Sequence, residues 1–131
     1  MTALATARVQ TARIARLNDL ARQAMGVACT AVATQGFRAL SLADQSRVRE
    51  LIETFDAFTP DNDPYSERDF GAIYQGRDGR WTALPPTKGD PLETVFWKID
   101  AYDRALRFGS PDPADPAVTR RVLTIMLASE Y

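Results

Sequence analysis

Four acidic residues, Asp61, Asp63, Glu67 and Asp69, form the densest group of metal-type ligands in this chain. Their oxygens suit a hard cation such as Mg²⁺ or Ca²⁺. The spacing opens like an EF-hand loop, yet Tyr65 and Ser66 stand where an acid or amide and a glycine are needed, and the distal Glu is missing. Pro60 and Pro64 bracket the start of the stretch, and Asp or Asn beside proline is an ordinary turn residue whose side chain bonds back to the backbone. Turn-building is the favoured reading. A carboxylate metal centre is the alternative, and contact with a partner a third.

A second group is Lys98, Asp100 and Tyr102, with Asp103 adjoining. Alternate strand positions put the first three on one face, a geometry that could hold an acid beside a base. An ion pair on a half-wet sheet gives the same pattern and is commoner. Histidine is absent. That removes Ser-His and Cys-His nucleophile pairs and every His-ligated metal. The single cysteine, Cys29, has no neighbouring cation in sequence and reads as an inert thiol. There is no P-loop and no glycine-rich phosphate cradle.

Charge is unevenly laid out behind a net value of −1. Residues 1–40 carry Arg8, Arg13, Arg16, Arg22 and Arg38 against Asp19, while residues 50–69 carry Glu50, Glu53, Asp56, Asp61, Asp63, Glu67 and Asp69 against Arg68. The plain expectation is that the two regions screen each other within the fold or are solvated. The sharper ones are a basic helix for nucleic acid, through Arg8, Arg13, Arg16 and Arg22, or an acidic belt for a basic partner. An Arg-rich, acid-poor start also resembles an organelle transit peptide, but Leu17, Leu20 and Met25 read as core contacts.

The elements that must position these residues follow from periodicity. At 131 residues the chain suits one domain, 1–131, burying roughly two thirds of its unfolded surface. One cysteine forbids an internal disulfide and suits a reducing, cytoplasmic compartment. No run approaches the ~18 apolar residues of a membrane span. A helix is expected over about 5–25, with Ile14, Leu17, Ala21 and Met25 facing inward and Gly26 stopping it; residues 1–12 would be a flexible extension of it. Val27 to Thr34 reads as a strand. Ser41 caps a second helix whose apolar stripe is Val48, Leu51, Ile52, Phe55 and Phe58.

Residues 69–74 and 94–101 read as strands, and 80–84 as a short return after the turn Gly76-Arg77-Asp78-Gly79. In the 94–101 strand, Val95, Trp97 and Ile99 point one way, and Phe96, Lys98, Asp100 and Tyr102 the other. Asp115-Pro116 is a standard helix start, so a last helix is expected to run to Tyr131. Apolar on most sides, it would be buried in the monomer or, in the alternative, lie at a homodimer interface. The architecture expected is α+β, a small antiparallel or mixed sheet of three to four strands packed against three helices.

Five stretches resemble a small bacterial family known as domain of unknown function 3768. They are Ile14 to Asp19, Phe55 to Tyr65, Asp69 to Ala72, Val95 to Asp100, and Ser110 to Tyr131. Members of that family often carry His before the Asp-Phe-Gly triplet, where this chain has Arg68. That departure argues against a family-wide metal ligand or proton shuttle there. The resemblance implies a bacterial protein of mobile-element setting, where small accessory proteins act by binding, including as inhibitors of restriction or CRISPR systems.

The functional expectation is thus a cytoplasmic, non-catalytic protein that binds a protein partner, without cofactor or membrane. Its contacts would be Asp56, Asp61, Asp63, Glu67 and Asp69, or Trp97, Lys98, Asp100 and Tyr102. The alternatives are a divalent-metal enzyme using Asp61, Asp63, Glu67 and Asp69, and a nucleic-acid binder using the first helix.

Overall fold

Helix α1 (Ala3–Gln23) starts where the Thr2 side chain accepts the Ala5 N–H at 3.1 Å. It takes in residues 3–12, and the chain turns away through Gly26 at φ +82. These features come from a computed structural model, which describes residues 2–131. Strand β1 (Thr30–Ala33) follows, then the single-turn helix α2 (Gln35–Arg38), which buries Phe37. Helix α3 (Leu42–Glu53) is capped by Ser41 as its sequence predicts. Asp44, in the first turn of that helix, accepts the Trp81 indole N–H through Oδ1 at 2.9 Å. The helix ends before Phe55 and Phe58, which reach the core from the segment beyond it.

Strands β2 (Phe70–Gln75), β3 (Trp81–Thr82), β4 (Glu93–Tyr102) and β5 (Arg120–Leu127) complete one sheet in the order β1-β5-β4-β2-β3. β1 runs parallel to β5 and the other pairs are antiparallel. The α+β class and the mixed sheet hold, with five strands rather than three to four.

The largest departure is the C-terminus. Asp115 does cap Pro116, its carboxylate accepting the Ala117 N–H at 2.9 Å, but only a 3-10 turn (Pro116–Val118) follows before β5. No long final helix exists, and with it goes the helical dimer surface. The reason is that β5 lies between β1 and β4, with Leu123 and Ile125 buried on one face and Met126 on the other. A strand apolar on both faces lacks the alternation that distinguishes it from a helix. Its β-branched Val122, Thr124 and Ile125 favour the extended form.

The main core lies on one face of the sheet, where Val48, Ile52 and Phe37 meet Ile73, Val95, Trp97, Leu123 and Ile125. Gly71 is required at the centre of this face, since a Cβ there would overlap the Trp97 indole. α1 contributes an unusual inner side. Its buried residues are Asn18, Ala21 and Arg22, whereas Leu20 is 47 % exposed.

Arg22 Nη1 donates to the Ile52 and Glu53 carbonyls at 3.1 Å each, satisfying the end of α3. Its Nη2 pairs with Asp19 at 2.8 Å, and its guanidinium lies 5.7 Å from the Phe58 ring and 5.8 Å from Trp97. Removing it leaves two carbonyls, one carboxylate and a cavity uncompensated. Arg22→Ala is therefore expected to cost on the order of 3–5 kcal/mol in urea unfolding. The exposed Arg16→Ala should stay within about 0.5 kcal/mol.

Candidate functional site

The face of the sheet opposite the main core is built by Phe70 and Tyr74 of β2, Phe96, Lys98, Asp100 and Tyr102 of β4, and Thr124 and Met126 of β5. The buried helix residues all lie against the first face or in the Asn18–Arg22 network. The last residue folds back onto the second face: Tyr131 packs 5.9 Å from Phe70 and 5.7 Å from Phe96, rings that are themselves 5.1 Å apart. Glu130 fixes that return. Its carboxylate accepts from Thr34 Oγ1 at 2.6 Å, Leu127 N at 2.9 Å and Gly36 N at 3.0 Å. These bonds, the Thr34 hydroxyl first, hold the Glu130 carboxyl below its ordinary range.

Beside the aromatic trio, Lys98 Nζ meets Asp100 Oδ2 at 3.0 Å, with both side chains a little over a third exposed. The hydrogen bond to Asp100 raises the Lys98 ammonium above its usual value. Tyr131 is 76 % exposed and Met126 is buried. This is a wet-rimmed aromatic patch with one ion pair. Trp97 belongs to the other face and is wholly buried, so it touches no partner.

The acidic stretch is a folded turn. The Asn62 side chain accepts from Thr59 N at 2.7 Å and donates to Ala57 O at 2.8 Å, and Asp63 Oδ1 accepts from Arg68 N at 3.1 Å. Asp56 and Asp61 are exposed. Among the described residues no three Asp, Glu or Cys side chains gather in a way that could hold a metal ion, so Asp61, Asp63, Glu67 and Asp69 do not converge.

Glu67 and Asp69 are nevertheless held above their ordinary values, chiefly by burial. The charges of Asp69 and Asp63 add to this for Glu67, and those of Asp63 and Asp100 for Asp69.

The two charged regions do not neutralise each other by direct pairing. Among the described residues the ion pair joining them is Arg68 with Asp19, at 3.3 Å, which pairs the minority charge of each region. Arg68 also lies 4.6 Å over Phe58. Of the arginines expected to meet nucleic acid, Arg8, Arg13 and Arg16 are exposed, but Arg22 is 2 % exposed and serves the core. A further polar link went unsuspected in the sequence: Arg121 Nε donates to Asn18 Oδ1 at 2.8 Å and its Nη2 to Pro113 O, while Asn18 donates to Glu67 O at 2.8 Å. Burial lowers the Arg121 guanidinium, partly offset by Glu67. Cys29 donates its thiol to Ala21 O at 3.4 Å and is half-buried.

A sequence model of the family described as "Protein of unknown function (DUF3768)" matches residues 33–130, which includes every strand except the first residues of β1. The chain belongs to that family. The family stretch holds Phe70 and Phe96 of the aromatic patch, the Lys98–Asp100 pair and the acidic turn, whereas α1, with Asn18 and Arg22, precedes it and Tyr131 follows it. No curated protein and no solved structure matches the chain significantly. Among the described residues no helix is long and apolar enough to cross a membrane.

Two carboxylates respond to pH in opposite senses. Asp69 is raised in the fold, so its ionisation weakens the fold as pH climbs above the ordinary 3.8. Asp69→Asn should raise the melting temperature at pH 7 and leave it unchanged below that value. Glu130 is lowered, so its contribution is complete above 4.5 and fades as pH falls through its lower folded value. Glu130→Gln should lower the melting temperature at pH 7, with the difference closing in acid. Melting curves over a pH series check both.

Proposed function

We propose that this protein acts in the cytoplasm by binding another protein, without turnover, through the second face of its sheet. The observation that carries the reading is that Phe70, Phe96 and Tyr131 stack on the sheet face opposite the main core, beside the Lys98–Asp100 pair. Aromatic and methionine side chains inside a polar rim are the composition of a protein-binding patch, because they bury much area at little entropic cost. Chemistry finds fewer supports. The chain has no imidazole, and Asp44, Asp63, Asp103, Asp112 and Asp115 each accept a hydrogen bond that shapes a turn, a cap or a core contact. A mobile-element inhibitor of a host defence complex is one form this mode would take.

The acidic stretch is the rival surface, and charge reversal separates the two. Tyr131→Ala combined with Lys98→Glu should reduce capture of the native partner from host lysate at least about tenfold, as expected for losing a central anchor. Asp56→Lys with Asp61→Lys should leave capture intact. The opposite pattern would assign binding to the acidic turn. Each variant's melting temperature shows that the fold survives.

A further inference from the structure

A cleft of about 760 Å³ lies between the C-terminal half of α1, the segment before β1 and the start of β5. Three of its lining residues are arginines, Arg104, Arg120 and Arg121, and no aspartate or glutamate lines it. Leu17, Leu20 and Val27 form its apolar wall, with Val27 91 % exposed. Two carboxylates next to the arginines in sequence are occupied, Asp103 with the Arg107 N–H at 3.0 Å and Asp115 with the Ala117 N–H at 2.9 Å. Among the described residues Arg104 and Arg120 form no ion pair, and neither guanidinium group makes a hydrogen bond. Arg121 is 9 % exposed, and Asn18 and Pro113 hold its Nε and Nη2, leaving Nη1 without a partner. A guanidinium fixed from behind, with a free donor at a cleft, is prepared for an anion before one arrives.

The positive charge continues past the cleft. Arg13 and Arg16 are exposed on α1, one helical turn before Leu17 and Leu20. The loop between β4 and β5, which supplies Arg104 to the cleft, also carries exposed Arg107 and Phe108, the latter 72 % exposed. In that loop Leu106 takes φ +58, a left-handed conformation that a leucine adopts only at a cost. A row of guanidinium groups longer than one phosphate, an apolar wall and an exposed ring together match an unpaired nucleotide chain. The arginines track its phosphates and the apolar surface takes its bases.

We propose that this cleft binds single-stranded nucleic acid, with Arg104, Arg120 and Arg121 on the phosphates and Phe108 stacking on a base. Arg120 pairs with Tyr102 across β4 and β5, so the cleft adjoins the far end of the sheet face that carries the aromatic patch. Arg120 is six residues along β5 from Met126, roughly 20 Å at the rise of an extended strand.

The test is fluorescence anisotropy of a labelled 15-residue oligothymidylate with the full chain. Binding should appear at about 50 mM salt, and log K should fall with log salt at a slope of about −2 for three phosphate contacts. Arg104→Gln with Arg120→Gln should weaken binding at least tenfold and bring the slope to about −0.7. Phe108→Ala should weaken it about fivefold or more. All three positions are exposed, so unchanged melting curves are expected to accompany the loss. Absence of binding at low salt would overturn the proposal, as would full binding by the double arginine variant. Equal affinity for a poly-glutamate peptide, or no effect of Phe108→Ala, would reduce the cleft to a general anion site and overturn the assignment to nucleic acid.

Discussion

The fold turns on one charge held where charges are expensive. Arg22 sits against Phe58 and Trp97 with almost no exposure, and two backbone carbonyls and the Asp19 carboxylate are aimed at its guanidinium. Moving a guanidinium out of water costs several kcal/mol, which only well-aimed hydrogen bonds and an opposing carboxylate offset. The acceptors chosen are the last carbonyls of α3, which would otherwise need partners of their own. Asp19 then reaches Arg68, so one network joins the first helix, the end of the third and the acidic turn. Asn18 and Arg121 extend it to β5. With the buried helix residues committed to one face, Tyr131 packs on the other against Phe70 and Phe96.

This constraint explains which parts of the molecule could be read from residue types. The Ser41 cap, the alternation of β4 and the Gly76–Gly79 turn depend on neighbours in sequence, and they lie where the residues indicate. The inner side of α1 could not be read so, because Arg22 looks like a surface residue until the carbonyls of α3, thirty positions away, are brought to it, and Asn18 until Glu67 and Arg121 reach it. β5 misleads for a related reason. A strand paired on both edges, with buried apolar residues on both faces, hides its period, and Asp115-Pro116 starts a 3-10 turn as readily as a helix.

The candidate sites show the same division. Lys98, Asp100 and Tyr102 share a face, as alternation requires, while Trp97 is buried on the other. Tyr131 and Phe70 join that face only through the fold, and no sequence signal announces the contact. The acidic turn looked like the strongest ligand cluster. Its Asn62 and Asp63 shape the loop, and Glu67 and Asp69 endure mutual repulsion without coming together around a common point. The arginines divide as well: Arg22 works inside the protein, and the cationic surface shifts to Arg104 and Arg120, which are distant from it in sequence.

The central claim is that one face of the sheet holds the protein together and the other meets its partner. Hydroxyl-radical footprinting of the native complex, read by mass spectrometry, tests it most directly. On this account Phe70, Phe96 and Tyr131 lose reactivity when the partner binds, while Tyr65 and Leu42, exposed elsewhere, keep theirs. Protection of Tyr65 with unchanged Tyr131 would contradict it.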